Sequence, residues 1–147
     1  MDRFGGHPLT VNAAHLGLKI ILSAVTLFYG LVPAIADMNE THLLNPLWSE
    51  HARFHGAWFL AFAAGVSGTA LYLIWWADEI VIPVVLGLMF AGGFWIATVF
   101  KSTYGGALVD TNGFEHEILG FEANSVIFSG MTIILVFVLF MARSLRS

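Results

Sequence analysis

The chain has 147 residues, 58% hydrophobic and 11% charged, with a formal net charge of −4 and no cysteine. A mean hydropathy of +0.80 is too apolar for a water-soluble domain, where about 45–50% apolar and about 25% charged residues are usual. The acidic balance and the absence of any Lys/Arg run argue against nucleic acid as a partner. Without cysteine there is no disulfide, thiol nucleophile, Cys-ligated zinc or iron–sulfur cluster.

Four apolar runs, each about 20 residues long, match the length an α-helix needs to cross a bilayer. The first covers residues 16–36, with Lys19 near its start and Pro33 near its end. The second covers 52–76 within a longer helix. Asn45 is its expected N-cap and Pro46 its first helical residue, where a missing N–H costs nothing. Trp48, Glu50, His51, Arg53 and His55 occupy the turns before the apolar part. Ala77-Asp78-Glu79 then predicts a tight antiparallel hairpin into the third span, 80–101. A polar stretch over 102–113 precedes the last span, 121–142, and Asn112 with Glu115 has the spacing of a capping box. The expected fold is therefore all-α: one four-helix transmembrane domain over residues 1–147.

Arg3, Lys19, Arg143 and Arg146 lie on the side of both termini, against Arg53 and Lys101 on the other, which predicts cytoplasmic termini in the cell membrane. The far, non-cytoplasmic side collects most acids and four of the six histidines: His42, His51, His55 and His116. His51 and His55 are one helical turn apart and head a stripe through Trp58, Phe62, Gly65, Thr69 and Tyr72. Small residues at Gly65 and Thr69 predict that this stripe faces the other helices. Matching seams are Asn12, His15, Lys19, Ser23, Thr26, Gly30, Pro33 and Asp37 on the first helix, and Gly87, Ala91, Phe94, Thr98 and Lys101 on the third. On the last helix the seam is Glu115, Glu122, Ser125, Ser129 and Thr132.

His42, His51, His55, Glu115 and His116 are therefore candidate ligands for zinc, iron or copper, since imidazole and carboxylate inside a four-helix bundle suit such metals. Asp37 and Glu122 are candidate catalytic acids or bases. The glutamate that would make His51 and His55 a zincin motif is absent, because Ala52-Arg53-Phe54 lies between them. A plain structural role competes: Glu115 and Glu117 suit the first turn of a helix, and His51, Arg53 and His55 could pair with loop acids. A metal-free alternative has a His/Glu pair moving a proton on a sterol- or terpene-like molecule, with burial raising the carboxylate pKa. Haem on His55 and His116 is a third option. Lys19 and His15 are expected to snorkel to water.

The segment Asp37-Met38-Asn39-Glu40-Thr41-His42-Leu43-Leu44-Asn45-Pro46-Leu47-Trp48-Ser49-Glu50-His51-Ala52-Arg53-Phe54-His55 resembles the D-x-N-x-T-H-x-x-N-P-x-W-x-x-H-A-x-F-H signature of an uncharacterised family of small bacterial and fungal membrane proteins. The resemblance covers about one seventh of the chain and implies that its polar residues act as one unit. A more distant likeness is to the emopamil-binding and sterol-isomerase superfamily, without a shared motif. The expected function is metal-assisted, redox-capable chemistry on a hydrophobic small molecule among membrane lipids. The alternatives are a metal-free isomerase or lipid-binding protein, and a homo-oligomer or small accessory subunit of a larger membrane complex.

Overall fold

The computed structural model describes residues 8–109 and 117–145. Its elements are α1 (Pro8–Ala36), α2 (Glu50–Trp75), α3 (Val81–Phe100), a short 3-10 turn (Lys101–Thr103), the two-residue strands β1 (Glu117–Ile118) and β2 (Phe121–Glu122), and α4 (Ala123–Ser144). Four stretches, Ala13–Ala36, Glu50–Trp75, Val81–Thr103 and Ala123–Ser144, are long and apolar enough to cross a membrane. The chain is thus a multi-pass, four-helix membrane protein, as its hydropathy predicts. The end of the bundle with the α2–α3 turn is called the near end below, and the end with the α1–α2 loop the far end.

Where α2 begins differs from expectation. Its N-cap is Ser49, whose side chain accepts from the Ala52 N–H at 3.2 Å. Asn45 instead builds the preceding loop: it is fully buried and its side-chain oxygen accepts from the Leu47 N–H at 2.9 Å. An asparagine before proline serves equally well as a helix cap or as an Asx turn, and local sequence does not choose between them. The Asn112–Glu115 capping box lies outside the described residues. Glu122 caps α4, its carboxylate accepting from the N–H groups of Asn124 at 2.8 Å and Ser125 at 2.7 Å. The small β1–β2 hairpin ahead of it turns at Leu119 and Gly120, both at positive φ, the backbone pattern of a type I′ turn.

α1 runs through the middle of the packing, touching α2, α3 and α4, whereas α2 and α4 do not meet among the described residues. Leu18, Leu22, Val25 and Tyr29 of α1 form the core with Ile74, Val84, Ala91, Met131, Leu135 and Val138. It approaches α2 closely at Gly30, where an added Cβ would collide with Ser67. The Ser67 hydroxyl donates to the Thr26 carbonyl at 2.9 Å, so a small residue admits the neighbouring helix and a hydroxyl holds it there.

The α1 and α3 seams lie inward as expected: Thr26, Gly30, Gly87 and Ala91 are buried. On α2 the expected face is the wrong one. The buried residues are Leu60, Ala63, Ser67, Ala70 and Ile74, whereas Trp58, Phe62, Gly65, Thr69 and Tyr72 are exposed with His51 and His55. Both faces of α2 carry small residues, so spacing alone selects neither. The exposed Thr69 satisfies its hydroxyl by donating to the Gly65 carbonyl one turn back at 2.9 Å, the arrangement an apolar solvent requires. On α4 Ser129 is likewise exposed, and the buried line is Met131, Leu135, Val138 and Ala142.

Candidate functional site

In the far half of the bundle the four helices separate around a cavity of about 790 Å³. Its floor and walls come from the far-end halves of all four helices, including Tyr29 and Val32 of α1, Phe59 and Val66 of α2, Met89, Phe90 and Phe94 of α3, and Ile127, Phe128 and Met131 of α4. Stacked rings build one wall: Tyr29 on Phe90 with centroids 5.0 Å apart, Phe59 on Phe90 at 5.7 Å, and Phe94 on Phe128 at 3.8 Å. Aromatic rings fill area with few rotatable bonds, so such a wall keeps its shape. Phe62 and Met89, both more than half exposed, also line it, and the cavity therefore opens on the apolar flank of the bundle.

Three polar residues stand at its far-end rim: Asp37, His42 and Asn124. Asp37 directly follows α1 and turns the chain, its backbone carbonyl accepting from the Leu43 N–H at 3.0 Å. The intervening loop is pinned by Asn39, whose side-chain oxygen accepts from the Thr41 N–H at 2.8 Å and the His42 N–H at 3.1 Å. That Asx arrangement delivers His42 back over the end of α1, with its Nε2 4.0 Å from the Asp37 carboxylate. The Thr41 hydroxyl lies 2.9 Å from His42 Nδ1 and holds the ring's orientation. Burial pushes the Asp37 carboxyl above the usual carboxylate range, and the neighbouring His42 opposes that shift. An acid with a raised pKa beside an imidazole can exchange a proton with a bound molecule or hydrogen-bond its polar end.

The other expected residues do not gather here. His51 and His55 pair with each other, their Nε2 atoms 3.1 Å apart, on the exposed face of α2 beside Trp58. Glu122 is committed to capping α4. Burial would raise its pKa, but the hydrogen bonds from Asn124 and Ser125 outweigh burial and lower it, opposite to the shift expected for a proton donor. Glu115 and His116 lie outside the described residues, and with them the haem pair. Among the described residues no three His, Asp or Glu converge as a metal-ligand group.

Sequence reasoning missed the aromatic wall, Tyr29 above all. The available signal was Tyr29 falling three residues after Thr26, a phenol in the middle of an apolar span and on the helix's polar seam.

Lys19 and His15 share one partner at the near end. Both reach the exposed Asp78 on the near-end turn: Lys19 is buried and its ammonium donates to Asp78 at 2.9 Å, while the partly exposed His15 has its Nε2 2.9 Å from the same carboxylate oxygen. The Lys19 ammonium also sits 5.0 Å from the Trp75 ring centroid. Asp78 is presented by the α2–α3 turn at φ 53°, the left-handed conformation that aspartate tolerates better than most residues. Contacts from His15 and Lys19 lower its pKa to about 2.

The family model "Family of unknown function (DUF6640)" matches residues 20–146, and the chain belongs to that family. No curated protein and no solved structure matches the chain.

Proposed function

For this member of a family of unknown function, we propose that the protein binds a lipid-soluble small molecule within the membrane. The cavity in the far half of the bundle carries the reading: about 790 Å³ falls inside the roughly 300–1,000 Å³ typical of small-molecule sites, which are mostly apolar with a few placed polar groups. Here the apolar body of the ligand would contact the aromatic wall, and its polar end would meet Asp37, His42 and Asn124. The flank opening gives access from the hydrocarbon, where such a molecule is concentrated. Proton exchange at Asp37 and His42 would add acid/base chemistry without a metal. The Lys/Arg balance supports cytoplasmic termini in the cell membrane, with the polar rim on the non-cytoplasmic side.

Gly93 offers the test. It lines the cavity, and a Cβ there meets nothing within 4 Å, so Gly93→Phe adds a ring at the cavity wall from an open starting position. Small molecules co-purifying with the wild-type protein from its native membrane are quantified by mass spectrometry. The expected result is one apolar species enriched over bulk lipid and reduced about tenfold or more in Gly93→Phe, with an unchanged melting temperature. Equal lipid profiles for the two proteins would overturn the reading.

A second reading is favoured by the facing Nε2 atoms of His51 and His55. At 3.1 Å apart they suit a shared zinc, iron or copper about 2.0–2.2 Å from each, with further ligands from Glu115 or His116 as candidates. Metal analysis of purified wild-type and His51→Ala protein tests this. A stoichiometric metal lost in the variant supports it, and the lack of stoichiometric metal in the wild type refutes it.

A further inference from the structure

The hydrogen bonds of the α1–α2 loop fix which nitrogen of His42 carries its proton. Two backbone N–H groups, of Thr41 and His42, meet the Asn39 side-chain oxygen at 2.8 and 3.1 Å and can only donate to it, while the Asn39 amide nitrogen donates to the Ala36 carbonyl at 2.7 Å. That oxygen also lies 2.8 Å from the Thr41 hydroxyl. Having no hydrogen of its own, it accepts, and the hydroxyl donates. With its one proton spent, Thr41 can only accept at its 2.9 Å contact with His42 Nδ1. Nδ1 therefore holds the N–H, and the neutral ring keeps its lone pair on Nε2.

Nε2 lies 4.0 Å from the Asp37 carboxylate, too far for a direct hydrogen bond and close enough for a third polar group to meet both. Both residues line the cavity, and the His42 side chain is 53% exposed, so a guest can reach it. We propose that this rim selects a lipid-soluble alcohol, whose hydroxyl donates to His42 Nε2 beside Asp37, and that Asn39 and Thr41 are positioning residues that keep Nε2 unprotonated. This rests on the binding reading above and names its ligand class. A ketone, ether, ester or ionised carboxylate has no hydrogen to give. An ammonium has, but a charge entering through the apolar flank must shed its hydration at high cost. A neutral hydroxyl meets both conditions.

The tautomer is read from two-bond ¹H–¹⁵N correlation spectra of histidine-labelled protein at about pH 9, where a free imidazole is neutral. The His42 signals are those missing from His42→Phe. They should show Nδ1–H in the wild type and in Thr41→Ser, and a mixture of tautomers in Thr41→Val. For binding, octadecanol or octadecyl methyl ether is incorporated into nanodiscs with each protein, and the retained probe is compared with protein-free discs. The wild type should favour the alcohol by about three- to tenfold, the range for one net hydrogen bond. His42→Phe should lose that preference, Thr41→Val most of it, and Thr41→Ser none.

Nε2–H as the wild-type tautomer would overturn the proposal. So would equal retention of alcohol and ether by the wild type above Gly93→Phe, which leaves the cavity reading intact, or a full preference surviving in His42→Phe or Thr41→Val. If the wild type retains neither probe above Gly93→Phe, the binding reading falls and the alcohol with it. The wild-type spectrum and the wild-type comparison of the two probes decide the matter even if a loop variant does not fold.

Discussion

The two ends of the bundle treat their charged groups differently. At the near end one carboxylate, Asp78, gathers His15 and Lys19 at 2.9 Å each, and Trp75 both receives Lys19 on its ring and donates its indole N–H to Ser23 at 2.9 Å. This joins α1 to the α2–α3 turn, with the polar groups spent on each other. At the far end Asp37 and His42 stand 4.0 Å apart and the helices splay around the cavity. Pairing closes one end, and the other leaves the space that the proposed ligand would occupy. The ends differ in how their strong contacts are placed: the near end, with fewer polar groups, joins them to one another, and the far end, with more, leaves a cavity among them.

The largest expected disturbance removes the contrast altogether. Gly30→Val pushes a branched side chain into Ser67 where α1 meets α2, and overpacking of this kind costs about 1–3 kcal/mol. Thermal unfolding in detergent should show the loss, and ligand retention should fall with it; an unchanged melting temperature would mean that the helices do not approach so closely. A smaller effect is confined to the far end: Glu122→Ala removes the α4 cap, worth about 1 kcal/mol, while cavity binding persists. Loss of binding at full stability would instead give Glu122 a direct role in the chemistry.

Asp78→Asn acts on the near end alone and is read through pH. The folded pKa of Asp78, about 2, is below the unfolded value of about 3.9. Its pairing therefore stabilises the fold above the unfolded value, and that contribution fades as pH falls from about 4 toward 2. Melting curves of the wild type should shift down through that window, and Asp78→Asn should lack this component. Identical pH profiles would show that the pairing contributes nothing to stability.

Much of this molecule is legible along the chain. Four spans, the short α2–α3 turn and the inward seams of α1 and α3 follow from apolar length and from small or polar residues recurring every three or four positions. α2 defeated the same method because Gly65 and Thr69 on one face resemble Ser67 and Ala70 on the other. The burial of Ser67 against Gly30 decides between them, and that is a contact between helices. Asn45 illustrates the local version: it has the chemistry of a helix cap, yet Ser49 holds that position because the loop uses Asn45 for its own turn.

The candidate site divides along the same line. Asp37 and His42 could be singled out because scarce charge in an apolar chain is conspicuous, and Asn39 between them favours a turn that brings the two together. His51 and His55 were as conspicuous, but the rotation of α2 sets them on its outer face. Tyr29 was not conspicuous at all, since a phenol in an apolar span reads as one more aromatic. Its place in the cavity wall arises from tertiary packing, which stacks the ring on Phe90.

By itself the sequence determined membrane residence, helix number and the concentration of polar groups beyond the far ends of the spans. These depend on composition and on periodicity within single helices. Only the tertiary structure decided which face of α2 is inside, which polar groups neutralise one another and where the helices leave room, because each depends on how neighbouring helices rotate and approach.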